Sequence, residues 1–426
     1  MREMKDSGIE WVGKVPKIWS LNPIRALFDE VTEKNFLGTC SNALKFTYGS
    51  IVRKPNFDAD ADDYVASTIL NYTVVEPGTI MLNGLNLNFD FVSQRIGLVK
   101  EKGVITSAYM AFKPNEKHLI DSEFATYLFK AYDGCKAFHN MGGGVRKILN
   151  FNEFKKYYIP LPDLNEQHHI VDYLDTQCSE IDATAEDIQK EISLLEDYKK
   201  SVINEAVTKG LNPDAEMKDS GIEYIGITPI HWNKYRLKYI LLERNIRTTT
   251  GEEMLLSVSQ YKGVVPSKDI NNRTMQANSL IGYKIVKKDD LVFNKLNPGL
   301  ARFGNSEFDG ITSPDFSVYI VDDKKCTAKF LQHLLKTYKY VAKIKGDCTG
   351  VGDGFARLYS EQLYRFVVSL PPIEELHSIV AYIDSKSSEI DALIADKKRQ
   401  LDILADYKKS LIYEYVTGKK EVPVNE

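Results

Sequence analysis

The sequence predicts an α+β protein in which two globular domains are joined by two long antiparallel coiled-coil helices, with an internal pseudo-twofold duplication. Two repeated blocks and a heptad pattern predict this fold. Residues 4–13 (MKDSGIEWVG) return as 217–226 (MKDSGIEYIG), and a block at 161–201 returns at 370–410. The two blocks recur at offsets of 213 and 209 residues. Because these offsets far exceed the roughly 20 to 50 residues of solenoid repeats, the repeated unit is a half-protein of domain size.

The repeats divide the chain into seven segments. These are a frame segment at 1–20, a first domain at 21–160, a long helix at 161–210, a repeated frame segment at 211–232, a second domain at 233–369, a second long helix at 370–418 and a tail at 419–426. Between the copies, residues 21–150 and 233–359 share only scattered positions. The pattern is therefore a fixed frame around two divergent inserts, which is typical of a protein that recognises two separate targets.

Each divergent domain is predicted to combine short strands with helices. The predicted strands are 79–83, 96–99, 107–112, 291–294 and 316–320, and the predicted helices are 122–138 and 328–345. A glycine-rich turn follows in each copy, at 142–147 and at 350–357. Glycine lets backbone N–H groups approach an anion, but neither turn has the spacing of a nucleotide-binding motif. The basic residue that ends both turns favours a DNA contact over loop geometry alone.

The two long helices are predicted from apolar residues that recur every seven positions, the pattern of a coiled-coil seam. The seam residues are Leu174, Ile181, Ile188, Leu195 and Val202 in the first helix and Ile383, Ile390, Leu404 and Leu411 in the second. Prolines precede both helices, and Gly210 and Gly418 mark their ends. Some 40 residues make a helix of roughly 60 Å, which is too long for one small domain to cover. Because the two helices have matching apolar seams, we expect them to pack on each other.

Composition is that of a soluble protein, with 43% hydrophobic and 27% charged residues. There is no membrane-length apolar stretch and no signal peptide, so a cytoplasmic location is expected. The net charge of −4 conceals an uneven distribution. Residues 21–150 carry 14 basic and 14 acidic side chains, residues 233–359 carry 21 and 13, and residues 166–200 carry three and ten. The acidity therefore lies outside the inserts.

Catalytic signatures are absent from the sequence. It contains no His-Glu-x-x-His metal motif and no Gly-x-Ser-x-Gly nucleophile elbow. The repeated pair His168 and His377 is better interpreted as capping or packing than as a metal site. We therefore expect no catalytic residue, metal or cofactor in this chain, and any chemistry belongs to a partner.

The repeated blocks resemble the specificity subunit of type I restriction-modification systems. The resemblance rests on the entry to the long helix, Leu-Pro-x-x-x-Glu-Gln-x-x-Ile-x-x-x-Leu-Asp at 161–175, and on the duplicated Asp-Ser-Gly-Ile-Glu-Trp/Tyr block. It covers the whole chain, with frames, helices and inserts in the expected order. The second copy departs from the pattern by having Leu376 where the first has Gln167.

The resemblance implies a function and a set of partners. Each insert would be a target-recognition domain that reads one half of a bipartite double-stranded DNA site, and the helices would set the spacing between the halves. Two modification (methyltransferase) subunits would dock on the conserved regions, and restriction (translocase/nuclease) subunits would join them. S-adenosylmethionine, ATP and Mg are then expected on those partners, with no membrane involved.

Side chains with fork-like donors at base edges are the expected readers, Arg or Lys for guanine and Asn or Gln for adenine. The candidate DNA contacts are Asn83, Asn86, Arg95, Arg146 and Lys147 in the first domain and Gln260, Lys262, Asn294, Lys295, Asn297, Arg302 and Arg357 in the second. The two Asn-x-Leu-Asn motifs are the stronger candidates because both copies place them just after a predicted strand.

Two other classes of function stay open on the sequence alone. One is a free-standing enzyme, which would need a methylation or nuclease motif. The other is a coiled-coil protein-interaction scaffold without DNA binding. Salt-dependent binding to duplex DNA would separate the scaffold from the DNA-recognition subunit.

Overall fold

The protein forms two compact units, seen in a computed structural model that describes residues 2–55, 68–87, 94–143, 147–260, 263–270, 279–296, 298–349 and 356–423. Unit 1 comprises Met1–Gln189 and Lys398–Glu426, and unit 2 comprises Lys190–Lys397. Each unit contains one divergent domain and part of both long helices. Within the described ranges, no helix has the length and apolarity needed to cross a membrane.

Unit 1 is built from short strands, three short helices and the start of the first long helix. Its strands are β1 (Met4–Asp6), β2 (Lys14–Pro16), β3 (Ser20–Pro23), β4 (Phe28–Glu30), β5 (Leu44–Thr47), β6 (Ser50–Arg53), β7 (Thr73–Val75), β8 (Ile80–Leu82), β9 (Ile96–Leu98), β10 (Gly103–Ile105), β11 (Met110–Pro114) and β12 (Tyr158–Leu161). Its helices are α1 (Ser122–Gly134), α2 (Ala137–Met141), α3 (Phe151–Phe154) and the long α4 (Leu164–Lys209), which continues into unit 2.

Unit 2 repeats this order. Its strands are β13 (Met217–Asp219), β14 (Ile227–Pro229), β15 (Asn233–Arg236), β16 (Leu241–Glu243), β17 (Leu256–Ser259), β18 (Gly263–Pro266), β19 (Lys284–Val286), β20 (Leu291–Asn294), β21 (Phe303–Asn305), β22 (Gly310–Thr312), β23 (Phe316–Val321) and β24 (Val367–Leu370). Its helices are α5 (Ala328–Leu335), α6 (Tyr338–Gly346), α7 (Ser360–Tyr364) and the long α8 (Ile373–Val416), which ends in unit 1.

A four-stranded antiparallel sheet organises each domain, in the order β4-β11-β8-β9 in unit 1 and β16-β23-β20-β21 in unit 2. The central strands β8 and β20 are fully buried. Four of the five predicted strands correspond to the inner strands β8, β11, β20 and β23, and the fifth, at 96–99, is the edge strand β9. The predicted helix at 122–138 is broken at Lys136, which adopts a left-handed conformation (φ 61°). The predicted helix at 328–345 is divided into α5, which ends at Leu335, and α6, which begins at Tyr338.

The long helices α4 and α8 contain 46 and 44 residues. They pack antiparallel: Asp182 pairs with Lys408 in unit 1, and Lys199 pairs with Asp391 in unit 2. Because these four residues are two pairs of repeat equivalents, one ion pair is made twice. Of the predicted seam residues, the buried ones are Leu174, Ile188, Ile383, Ile390 and Leu411, and the half-buried ones are Ile181, Leu195, Val202 and Leu404. The predicted α+β fold with two long antiparallel helices is confirmed.

Each helix ends at a glycine whose backbone is left-handed, with φ 80° at Gly210 and φ 68° at Gly418. This conformation is the usual C-terminal stop of a helix, and it favours glycine because that residue has no Cβ. At Gly418 a Cβ would also lie 2.4 Å from Pro16. The repeated glycines are thus required by the backbone.

A buried tryptophan anchors each repeated frame to the first turns of a long helix. Trp19 and Trp232 are both 1% exposed. The indole N–H of Trp19 donates to Glu166 at 2.9 Å, and that of Trp232 donates to Glu375 at 3.2 Å. The retention of Trp and Glu in both copies therefore has a structural reason.

Candidate nucleic-acid interface

The two Asn-x-Leu-Asn motifs form matching turns directly after the central strands β8 and β20. In each turn the first asparagine accepts a hydrogen bond from the backbone N–H two residues later. The distances are 3.2 Å from Leu85 to Asn83 and 2.9 Å from Leu296 to Asn294. Asn83 is half-buried and Asn294 is 9% exposed. Such Asx turns explain why both copies have asparagine here, so we assign both residues to the turn.

Arg95 is a structural residue of the first turn. It is 7% exposed. Its guanidinium donates to the carbonyl oxygens of Asn83, Leu85 and Asn86 at 2.8, 2.8 and 3.4 Å. A buried guanidinium held by three backbone carbonyls has little freedom to read DNA, and we do not include Arg95 in the DNA surface. The backbone partner of Asn294 in unit 2 is Arg302, whose side chain is exposed.

In each unit a second extended segment, later in the chain, forms a backbone hydrogen bond to the turn. Leu149 donates its N–H to Gly84 at 2.9 Å, and Leu358 donates to Lys295 at 3.2 Å. The flanking backbone bridges are Gly143 to Ile148 and Thr349 to Arg357. The geometry therefore matches Arg357 with Ile148, and not with the basic residues 146 and 147 suggested by the glycine turns.

Lys295 and Arg357 lie beside a buried polar cluster in unit 2. At its centre is Glu243, which accepts from Lys284 at 3.2 Å, from Ser317 at 3.3 Å and from Ser360 at 2.6 Å. Burial raises the pKa of Glu243, but the hydrogen bonds from Ser360 and Lys284 outweigh it, so this pKa lies below its ordinary value. This carboxylate is thus ionised and hydrogen-bonded to three side-chain donors.

The pKa of Lys295 is lowered, first by burial and then by the neighbouring Lys284 cation, with a smaller contribution from Arg357; the Glu243 and Asp315 carboxylates oppose this shift. Within the part of the chain that the structure describes, neither the Lys295 ammonium nor the Arg357 guanidinium has a hydrogen bond or an ion pair. The cluster therefore presents two cationic groups without a protein acceptor.

The remaining candidates are scattered over the surface. Asn86 is exposed in a left-handed conformation (φ 50°), and Gln260 is exposed at the end of β17. Lys147 is exposed and donates to the His139 carbonyl at 3.3 Å. Arg146, Lys262 and Asn297 lie outside the described residues. Among the described residues, no group of three or more His, Cys, Asp or Glu side chains is placed to hold a metal.

The sequence did not identify three residues of this polar cluster, namely Lys284, Glu243 and Ser360. Lys284 is 3% exposed in the short strand β19, whose pattern gives no indication of a buried charge. Its carboxylate partner lies 41 residues earlier in the chain. The one available signal is an Asp-free, basic stretch around 284–288 next to predicted strands, and that signal is weak.

Comparison with known proteins gives consistent matches. A family model described as the type I restriction modification DNA specificity domain matches residues 28–194. The type I restriction enzyme MjaVIII specificity subunit of Methanocaldococcus jannaschii is 22% identical over 429 residues, covering 96% of this chain and 94% of the relative.

Two solved structures share the fold. A chain from a study of complex assembly and conformational transition of the type I R-M system has a TM-score of 0.68 at 13% identity, covering 95% of this chain and 99% of that one. The HsdS subunit from Thermoanaerobacter tengcongensis has a TM-score of 0.51 at 13% identity, covering 95% and 98%.

Duplicated frames, divergent β-rich domains and paired long helices define a class of non-catalytic DNA-recognition subunits. The chain belongs to the specificity subunits of type I restriction-modification systems. It is the DNA specificity subunit of such a system, which is the non-catalytic part of a type I restriction-modification enzyme.

Proposed function

We propose that each divergent domain reads one half of a bipartite double-stranded DNA site. The observation that carries this proposal is that both units hold the same turn, after the same central strand, but expose different side chains around it. Lys295 and Arg357 in unit 2 correspond to Gly84 and Ile148 in unit 1. A common scaffold with different surface chemistry is suited to two different half-sites, since bases are distinguished by donor and acceptor patterns.

The proposed contact residues are the exposed or half-buried candidates that the fold does not employ. They are Asn86 and Lys147 in the first domain and Gln260, Lys295, Arg302 and Arg357 in the second. Asn83, Asn294 and Arg95 act instead through the turns that present their neighbours. The boundaries 21–160 and 233–369 are proposed as the two recognition modules.

The spacing between the half-sites is proposed to depend on the long helices. Helix α4 is continuous from Leu164 to Lys209 and links the two units covalently. A continuous helix transmits a fixed rise of about 1.5 Å per residue, whereas a flexible linker would allow a range of spacings.

Two modification subunits are the proposed partners, one for each repeat. The observation in support is an exposed apolar pair that both long helices retain. Leu194 and Tyr198 are 68% and 56% exposed, and their repeat equivalents Ile403 and Tyr407 are 61% and 51% exposed. Residues four apart share one face of a helix. Large apolar side chains exposed at equivalent positions of two polar helices fit the same protein partner bound twice.

The chemistry is proposed to reside on those partners. S-adenosylmethionine would be bound by the modification subunits, and ATP and Mg by restriction subunits that join the complex. The cytoplasmic location expected from the sequence is part of this proposal.

Charged substitutions in the apolar pairs are expected to remove partner subunits one at a time. Leu194→Glu and Ile403→Glu should each lose one of two bound modification subunits, and the double variant should lose both, because burying an unpaired carboxylate costs several kcal/mol. Co-purification and mass measurement of the complex provide the check. Since these side chains are exposed in the chain itself, thermal unfolding should be unchanged.

Two substitutions serve as controls, and each introduces the residue that the other long helix has at the equivalent position. Ser193→Asp introduces the residue found at Asp402, and Ala395→Glu introduces the residue found at Glu186. Both positions are exposed, so both variants should assemble normally. Full assembly of the Leu194→Glu, Ile403→Glu double variant would contradict the proposed docking surface.

The recognition function is tested by methylation mapping. The purified chain alone should neither cleave nor methylate DNA, and a modification subunit should methylate a two-part motif only when this chain is present. Methylated-motif sequencing of cells with and without the gene reads out the motif. A motif that is continuous, or that persists without this chain, would contradict the proposal.

A further inference from the structure

Unit 2 contains an excess of positive charge that its own carboxylates do not neutralise. Lys284, Lys295 and Arg357 are electrostatic neighbours of two carboxylates, Glu243 and Asp315, and Glu243 is already hydrogen-bonded to Lys284, Ser317 and Ser360. Two carboxylates facing three cations leave an excess of about one positive charge. Like charges held together in a partly buried site are unfavourable unless an anion binds there.

The fold does not require this cluster, because unit 1 builds the same backbone without it. The equivalents of the four residues follow from matching strand pairs. Glu30 of β4 pairs with Phe112 of β11, as Glu243 of β16 pairs with Tyr319 of β23. The backbone bridge between Lys34 and Thr73 matches the bridge between Arg247 and Lys284. The four equivalents in unit 1 are Glu30, Thr73, Gly84 and Ile148. No cation stands at any of these positions.

Gly84 also shows why a cation is excluded from the first turn. A Cβ at this position would lie 2.2 Å from the Leu149 carbonyl oxygen. In unit 2 the equivalent residue is Lys295, whose backbone faces the segment that carries Arg357. The first domain is therefore a natural comparison, because it keeps the backbone pairings of the turn but has neither of the two cations.

We infer that Lys295 and Arg357 bind a phosphate of the DNA backbone, so that the second domain anchors the duplex electrostatically while the first domain lacks this anchor. The inference rests on the proposed DNA-reading function. The two residues lie on facing backbone segments of one turn, since Leu358 donates to the Lys295 carbonyl and Leu296 bridges to Arg357. A tetrahedral phosphate with two or more acceptor oxygens suits an ammonium and a guanidinium placed at the same turn. Phosphate contacts fix the register of a protein on DNA but carry no base information.

The test is a salt titration of DNA binding by the complex of the full chain with its modification subunits. Two duplexes are used, one containing the methylated motif and one with the motif scrambled. Because both cations are assigned to one phosphate, the Lys295→Gln, Arg357→Gln double variant should reduce the slope of log K against log salt by about one on both duplexes, and each single variant by part of that. At about 0.1 M salt the double variant should bind roughly tenfold more weakly, as expected from a slope of about 0.9 per phosphate.

Two charge and position controls complete the design. Lys324→Gln removes an exposed cation beyond the far end of β23, and Ile148→Gln alters the unit 1 position equivalent to Arg357. Neither should change the slope, and thermal unfolding checks that all variants fold. A slope unchanged by Lys295→Gln and Arg357→Gln, or a relaxed motif at one position with the slope intact, would overturn the phosphate anchor. Wild-type complex that shows no preference for the motif duplex would instead overturn the proposed function.

Discussion

Exchanging residues 24–157 for the corresponding segment of another specificity subunit is expected to replace one half of the methylated motif and to leave the other half unchanged. These boundaries keep the strand pair β3–β12 with the frame, since Pro23 pairs with Tyr158. The Trp19 anchor to Glu166 is also outside the exchange. Unit 2 has its own hydrophobic core, so its reading surface should be unaffected.

The reciprocal exchange of residues 237–366 keeps the equivalent strand pair β15–β24 and should change the other half of the motif. Methylated-motif sequencing reads both outcomes, and the unspecified gap between the halves should keep its length because α4 and α8 are untouched. If either exchange altered both halves together, the two domains could not be independent modules.

Removal of the Arg95 guanidinium is expected to cause the largest loss of stability among single substitutions at the candidate residues. Arg95→Met leaves the carbonyl oxygens of Asn83, Leu85 and Asn86 without their donor. Hydrogen bonds from a charged donor contribute about 1.5 to 3 kcal/mol, and unsatisfied buried groups cost a similar amount. We expect unit 1 to lose about 3 kcal/mol, which lowers the Tm of a unit of this size by about 10 °C.

The matched control is Arg302→Met, because the Arg302 carbonyl accepts from Asn294 as the Arg95 carbonyl accepts from Asn83. The Arg302 side chain is exposed, so its removal should leave the Tm within about 1 °C. Thermal unfolding followed by circular dichroism compares the two. Equal stabilities of the two variants would show that the Arg95 guanidinium does not hold the turn.

The long helices were predictable because a seven-residue repeat extends over many turns and each turn adds evidence. Leu174, Ile383 and Leu411 are buried where the repeat places them. The central strands were predictable for a related reason, since runs such as Leu291–Asn294 are buried on both faces and are apolar up to the last residue. The break in the predicted helix 122–138 was missed because the left-handed residue there is Lys136, which carries no sequence signal for that conformation.

The candidate site was harder to predict because retention in both copies has two causes. Asn83 and Asn294 are retained, and the sequence suggested base contacts, but the Asx turns that both residues form also account for their retention. The partner of Arg357 was misassigned because the glycine turns align differently from the backbone bridges around Ile148. Contacts between residues far apart in sequence, such as Lys284 with Glu243, leave no local pattern to detect.

The one polar interruption of the seam bears on which helices associate with which. Lys397 in α8 stands where α4 has Ile188, and its ammonium pairs with Glu191 of α4. A second α8 would offer Gln400 in place of Glu191, and a second α4 would offer Ile188 in place of Lys397. The pair therefore forms only in heterotypic association. An exposed ion pair contributes at most about 1 kcal/mol, which biases folding toward α4 with α8 and against homotypic association of helices from two nascent chains.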